Sequence, residues 1–541
     1  MTPTALRSVT APRPAWLLIL GAWLAAYAAR PALLGFYYDD WVTIVAPARE
    51  TAPFGWERFT YHLRLYADRP GTGLLTFLLS SACADSPQRW HLAAALLALL
   101  VGGALRSMLR SLLGLLGHQR LWPADVAVAS WMVFPWMLGM TAWPTTVPCL
   151  AAVAFFALSA RALFNGWVRR RPCWLPAGGW LLLSLLTYEA FYGQFLLLML
   201  LGWLALDSGG RRHILPPLAA CTGAQLIALG WNRLIALLDV SAHAKQWSPL
   251  WWGAFSRSLA GLRYVVGESA AEFSPALEFA LLAGVLGWLV LPLTARGPRD
   301  QLSRTSPVLA CAGVGTVLAL LLYSLAGYWL SGVGHGSRTT LTPSFWLAVV
   351  LTVILGSLPA RPSPVPRIAG VYASLLTTIF AVAINLRLLE WSRAWELERR
   401  ILAAAPHAAL RHAQPGAVVL FEGPYKYKGI RLFDGPGKLD LAMAWAHPEL
   451  PRLHFCELRA DRVTTWDGRR FEQRTRPGFP PPTRRPVWNQ YETSEVWLWN
   501  SEKNQLRSLS PPFEHPPLPR GNHPPVVAGR PTGHDASHFP P

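Results

Sequence analysis

Between residues 15 and 389 the chain alternates long apolar runs with short clusters of arginine, and those runs limit the fold more than any other feature. A helix needs about 20 apolar residues to cross a hydrocarbon core of ~30 Å, and the core holds no water to satisfy an irregular backbone. The runs fall at 15–36, 90–109, 121–142, 149–164, 174–206, 214–238, 276–294, 308–330, 343–358 and 368–389. Composition agrees, with 52% of residues hydrophobic and 15% charged. Soluble domains carry about 25% charged residues, so a soluble enzyme is excluded. The net charge, 49 − 30 = +19, invites a nucleic-acid partner as a total. Its placement does not, because nearly all the basic residues before 370 sit between apolar runs, where positive charge marks cytoplasmic loops. No nucleic acid is expected as a partner; membrane lipid is. The six cysteines show no CxxC or other ligand spacing.

The arginine clusters set the expected topology. The run 15–36 follows Arg7 and Arg13 and contains Ala26-Tyr27-Ala28, a cleavage-like signal, but at 22 residues it is long enough to span. It is read as a retained helix with residues 1–14 in the cytoplasm. Residues 71–84 are apolar but too short to cross and suit an interfacial helix, which leaves 37–89 as one long external loop. The 33-residue run 174–206 would reach about 50 Å as a single helix. Two short helices meeting outside near Thr187-Tyr188-Glu189 fit better. Residues 121–142 go out as one span, and a loop with Trp247, Trp251 and Trp252 precedes the span 276–294. The total is eleven spans with the C-terminal region outside, an all-α polytopic fold over 15–389.

From Glu390 the material changes. Residues 390–413 form a charged amphipathic helix, and 417–421 and 496–499 look like buried strands. They suggest a small extracytoplasmic α/β appendage over 390–508, with a stiff linker at 476–486 and a disordered Pro-rich tail over 509–541. The tail histidines, His515, His523, His534 and His538, have no regular ligand spacing.

The most informative segment is Tyr37-Tyr38-Asp39-Asp40-Trp41, immediately outside the first span. Adjacent carboxylates beside aromatic rings at a membrane surface repel each other and lose hydration, so a use for them is expected. The plainer alternative has Asp39 capping the next helix and Asp40 solvated. The same topology brings Arg69, His91, Glu189, His335 and Arg338 to the same face. Glu189 interrupts an apolar stretch, and its structural alternative is a partner such as Arg233. Arg338 lies in the Gly-rich turn Gly332-Val-Gly-His-Gly-Ser-Arg338, which suits a phosphate.

These residues in this order resemble bacterial glycosyltransferases of the GT-C superfamily. The closest pattern is the transmembrane half of O-mannosyltransferases that carry tetratricopeptide repeats, without the repeats. The resemblance covers roughly residues 15–390. It rests on Tyr38-Asp39-Asp40-Trp41, Arg69-Pro70, Trp90-His91-Leu92, Phe134-Pro135 with Trp143, Leu186-Thr187-Tyr188-Glu189-Ala190, and Arg338. It implies transfer of a sugar from a polyprenyl-phosphate donor to an acceptor hydroxyl on a glycan, lipid or protein, at the outer face of a bacterial inner membrane. Asp40 or Asp39 would take the acceptor proton, with Glu189 orienting the site. Arg338 first, Arg69 second, and His335 and His91 beside them would meet the donor phosphate. Some relatives bind a divalent cation such as Mg or Mn with their acidic residues and others do not, so metal use at Asp39 and Asp40 stays open.

The chain also departs from that pattern. It has Phe134-Pro135-Trp136 where the repeat-bearing relatives show His-Pro and a following His, and Thr187-Tyr188-Glu189 lacks their frequent Lys. The acceptor therefore does not carry over. A transporter or lipid flippase would be expected to show an internal repeat and midplane charges. An O-antigen polymerase or ligase would carry its key Arg and His in later external loops, and a scaffold would leave Asp39-Asp40 unexplained.

Overall fold

A computed structural model describes residues 14–118, 120–206, 208–238, 299–325, 334–358, 364–424, 426–428, 430–433, 437–459, 462–475 and 487–515. The chain divides into two compact units, Met1–Trp395 and Glu396–Pro541. The first is helical. Among the described residues seven helices are long and apolar enough to cross a membrane: Trp16–Leu33, Pro87–Leu115, Pro144–Arg169, Gly209–Leu237, Thr305–Tyr323, Arg338–Gly356 and Ser374–Ala403. Three shorter apolar helices, Pro70–Cys83, Trp174–Thr187 and Glu189–Ala205, accompany them. The expected span 276–294 and the Trp247, Trp251, Trp252 loop lie outside the described residues.

The helices keep large apolar residues on their outer faces as well as their inner ones. On Pro87–Leu115 the inward face runs from Ala94, Ala95 and Ala98 through Gly102 to Leu105, Leu109 and Leu112, while Leu92, Leu96 and Leu100 point outward and are exposed. Leu196, Leu200, Leu226 and Ile227 repeat the pattern on other helices. An outward apolar belt of this kind is what lipid covers, and small residues let helices approach closely without a hydrophobic drive between them. The fold is thus that of a multi-pass membrane protein.

Three sequence expectations change. First, residues 121–142 are not one span. The helix Trp122–Met132 stops, a short 3-10 turn occupies Pro135–Met137, and a second helix runs Leu138–Ala142. Pro135 has no N–H to continue the ladder. The break is tolerated because it is buried in protein, where Thr340 Oγ1 donates to the Trp136 carbonyl at 2.6 Å. Second, Glu390 is not the start of an element: one helix runs Pro364–Ala403, 40 residues through the polar shift, and the two units divide within it, at Trp395 and Glu396. Third, the strand Phe513–His515 lies inside the stretch expected to be disordered, with Phe513 packed on the C-terminal core. The break in the 174–206 run falls between Trp174–Thr187 and Gln194–Ala205, turning at Gly193 with φ +74°.

One charge inside the first span went unremarked in the sequence. Arg30 is fully buried, its Nε donating to Ala26 O at 2.6 Å and its Nη1 reaching Thr141 Oγ1. It ties the first span to the second piece of the interrupted helix.

Among the described residues the second unit has a small antiparallel pair, Lys426–Tyr427 with Ile430–Arg431, and two four-stranded sheets. In one, His454–Glu457, Val418–Glu422 and Val496–Asn500 lie parallel in that order, and Gln505–Ser508 adds antiparallel to the last. The helix Lys438–Ala446 falls between the first two parallel strands in sequence. In the other, Phe513–His515, Arg462–Trp466, Arg470–Thr475 and Val487–Glu492 are all antiparallel. Val418, Leu420, Cys456, Trp466, Phe471 and Val496 form the core they share.

Candidate functional site

The segment that follows the first span begins as a tight, heavily pinned turn. His91 Nε2 lies 3.0 Å from Gly35 O, the Tyr37 hydroxyl donates to Trp391 O at 2.8 Å, and Asp40 N donates to Tyr37 O at 2.9 Å. Gly35 must be glycine, because a Cβ there would sit 1.9 Å from the Trp395 ring. Tyr38 is forced to φ +47°, a left-handed conformation costly for a tyrosine.

Asp40 is the pin at the centre. Its residue is fully buried; Oδ2 accepts from Tyr37 N at 2.8 Å, and Oδ1 accepts from Thr145 N at 2.8 Å and from the Thr145 hydroxyl. The plain alternative of a solvated Asp40 is therefore wrong. Burial pushes its carboxyl up to about 8, against the pull of those donors, with Asp39 adding to the rise. Thr43 Oγ1 donates to Asp39 O and lies 2.8 Å from Thr145 Oγ1, whose hydroxyl donates to Asp40. Asp39 is different: it is half-buried, its carbonyl starts the helix Trp41–Val45, and it acts electrostatically on Tyr66.

A second wall comes from the turn at residues 66–69. Arg69 Nε lies 3.3 Å from Asp68 Oδ2 and 3.8 Å from Glu189 Oε2, with its guanidinium 5.7 Å from the Tyr66 ring centroid. The neighbours of Glu189 thus include Arg69, while Arg233, suggested from sequence, is exposed. The pairing follows from a close approach. Thr72 Oγ1 donates to Thr187 O, and a Cβ on Gly71 would lie 2.5 Å from Thr187 Oγ1. The helix Pro70–Cys83 therefore docks directly on the end of Trp174–Thr187, at residues 186–187.

The third wall is the 3-10 turn Gly334–Thr340. His335 is buried among rings, with centroids at 4.3 Å to Trp143, 4.9 Å to Trp391, 5.8 Å to Tyr38 and 6.5 Å to Tyr37. Arg338 is half-buried, with its guanidinium carbon 5.4 Å from the Trp143 ring, beside Tyr323. Thr342 Oγ1 donates to Ala190 O at 3.4 Å, which joins this wall to the Glu189 segment.

Asp39, Asp40, Arg69, Glu189, His335 and Arg338 are thus brought together from four separate stretches of chain. His91 is not at the same surface: it is fully buried in the helix Pro87–Leu115 against Gly35, a fixing contact rather than a phosphate contact. Sequence reasoning missed Asp68, Tyr66 and Thr145. Asp68 was legible as the neighbour of Arg69-Pro70, whereas Thr145 lies 105 residues from Asp40 with no local signal. Among the described residues no group of three His, Cys, Asp or Glu is placed to hold a metal ion, and Asp40 turns both oxygens to protein donors.

Electrostatically the walls differ. Arg69 is offset by two carboxylates, Asp68 and Glu189, whereas Arg338 stands over an aromatic face. One half-buried carboxylate, one aromatic-backed guanidinium and a neutral acid are groups that can accept a proton and stabilise an anion. No protein-family model and no curated protein matches the chain.

Proposed function

We propose that this chain is an integral-membrane glycosyltransferase of the GT-C kind. It moves a sugar from a polyprenyl-phosphate donor to an acceptor hydroxyl at the outer face of a bacterial cytoplasmic membrane. The observation that carries this reading is the convergence of Asp39, Glu189 and Arg338 from separate loops onto one cluster beside apolar helices. An acceptor hydroxyl becomes nucleophilic as a carboxylate takes its proton, and Asp39 is the accessible member of the acidic pair. Asp40 is then a positioning residue: it fixes the turn and, protonated, does not add a second negative charge beside the base. The departing phosphate gains charge as the glycosidic bond breaks, and the Arg338 guanidinium is suited to its oxygens. A divalent cation, where one takes part, would be held by Asp39, the more exposed of the pair, and would supply further charge stabilisation for the phosphate.

A transporter or flippase is the second reading, favoured by the interrupted helices at Pro135–Met137 and Glu189–Phe191. Comparison of surface glycans and glycoproteins from cells with and without the gene tests the first. One sugar should be lost without the gene, restored by the wild type, and not restored by Asp39→Asn or Arg338→Ala expressed at equal level. General-base removal typically costs about 10²–10⁴ in rate. Identical glycan profiles with and without the gene overturn the proposal.

A further inference from the structure

The turn at residues 66–69 holds two buried polar groups that the transfer step does not use. Asp68 is 7% exposed; Oδ2 faces Arg69, while Oδ1 meets no hydrogen-bond donor among the described residues. The Tyr66 hydroxyl, on a residue 5% exposed, is likewise unpartnered among them. Folded proteins pair nearly all such atoms, and a buried charged oxygen left alone is the costliest exception. The turn is firmly held, with Trp231 Nε1 donating to Ala67 O at 2.8 Å and Arg69 N to Tyr66 O at 2.8 Å. The two groups are therefore presented by a fixed backbone. Both border the Arg69 guanidinium, and Tyr66 lies within electrostatic reach of Asp39.

We infer that Asp68 and Tyr66 form a hydroxyl-binding subsite that selects the sugar of the donor by the configuration of one or two of its hydroxyls. The inference rests on the transferase reading for the identity of the sugar carrier. A carboxylate oxygen only accepts, and a phenol donates or accepts, so together they match neutral hydroxyls. They do not match a second phosphate, whose charge the Asp68 and Glu189 carboxylates beside Arg69 would oppose. Arg69 is accordingly a positioning residue that holds Asp68, and the phosphate is left to Arg338. A site built to pair a hydroxyl rejects an analogue lacking it far more strongly than an apolar site rejects an extra group, because its own polar atoms are stranded.

The test is equilibrium binding of polyprenyl-phosphate mannose, glucose, galactose and 2-deoxyglucose to the full chain in lipid nanodiscs. The wild type is compared with Asp68→Asn and with Tyr66→Phe, which removes one oxygen and leaves the packing. The wild type should prefer one sugar by about tenfold or more, the range expected for a hydrogen bond to a charged group. Both variants should bind the four donors within about threefold of one another while keeping the affinity for sugar-free polyprenyl phosphate. A wild type that binds all four equally, or none, overturns the inference, and so do variants with the wild-type preference. Selective binding with no sugar transfer leaves the subsite standing and defeats the transferase reading instead.

Discussion

At the scale of single residues, the two adjacent aspartates have opposite fates. Both were visible in the sequence, but their division of labour was not, because it depends on Thr145, which sits 105 residues away on a different segment. Asp40 also carries a pH signature. A carboxyl near 3.9 unfolded and about 8 folded keeps its proton in the native state across that interval. The unfolded chain binds fewer protons there, so stability is full below about pH 4, falls as pH rises, and levels off above about pH 8. The slope from this one group is up to about 1.4 kcal/mol per pH unit. The thermal midpoint of the detergent-solubilised wild type should therefore fall from pH 5 to 8 relative to Asp40→Asn, which does not titrate. Parallel curves for the two proteins would remove the proton from Asp40. Asp40→Asn should itself be less stable by about 1–3 kcal/mol, since its amide NH2 must face the N–H of either Tyr37 or Thr145.

Whole elements were legible where a length or charge argument applied. The apolar run 174–206 is too long for one crossing, and the chain breaks at 188–193. Elsewhere hydropathy misled, because it reports where side chains leave the apolar phase and not where backbone hydrogen bonds stop. Thus the helix Pro364–Ala403 continues past Glu390, and the helix at Trp122–Met132 ends inside an apolar run. Docking of Pro70–Cys83 on the helix end at 186–187 was invisible, since it depends on Gly71 having no side chain. A methyl there would lie 3.1 Å from both Leu186 O and Thr187 Cα, and backbone on both sides must yield. Gly71→Ala should leave helix content by circular dichroism unchanged and lower sugar transfer at least tenfold, because small misplacements of a site cost rate steeply. Wild-type transfer by this variant would show that the Arg69–Glu189 pairing is not needed.

At the scale of the molecule, the arginine clusters and apolar runs already specified a multi-pass membrane protein. The C-terminal unit was only partly readable: the apolar strands Val418–Glu422 and Val496–Asn500 stood out, while Arg470–Thr475 and Val487–Glu492 are too polar to announce a sheet. The expected orientation has its own check. All six native cysteines are buried, so an impermeant thiol reagent added to intact cells should label Ser86→Cys, in the loop expected outside, and not the wild type. Protection of that cysteine would place the loop inside.

The most direct measurement of the central claim follows the donor itself. Purified wild type in nanodiscs, supplied with a radiolabelled polyprenyl-phosphate sugar and envelope extract from cells lacking the gene, should release sugar-free polyprenyl phosphate in step with label entering the extract. Asp39→Asn should cut both by at least about a hundredfold. Donor that stays intact with the wild type, or label that moves equally with Asp39→Asn, would contradict the account.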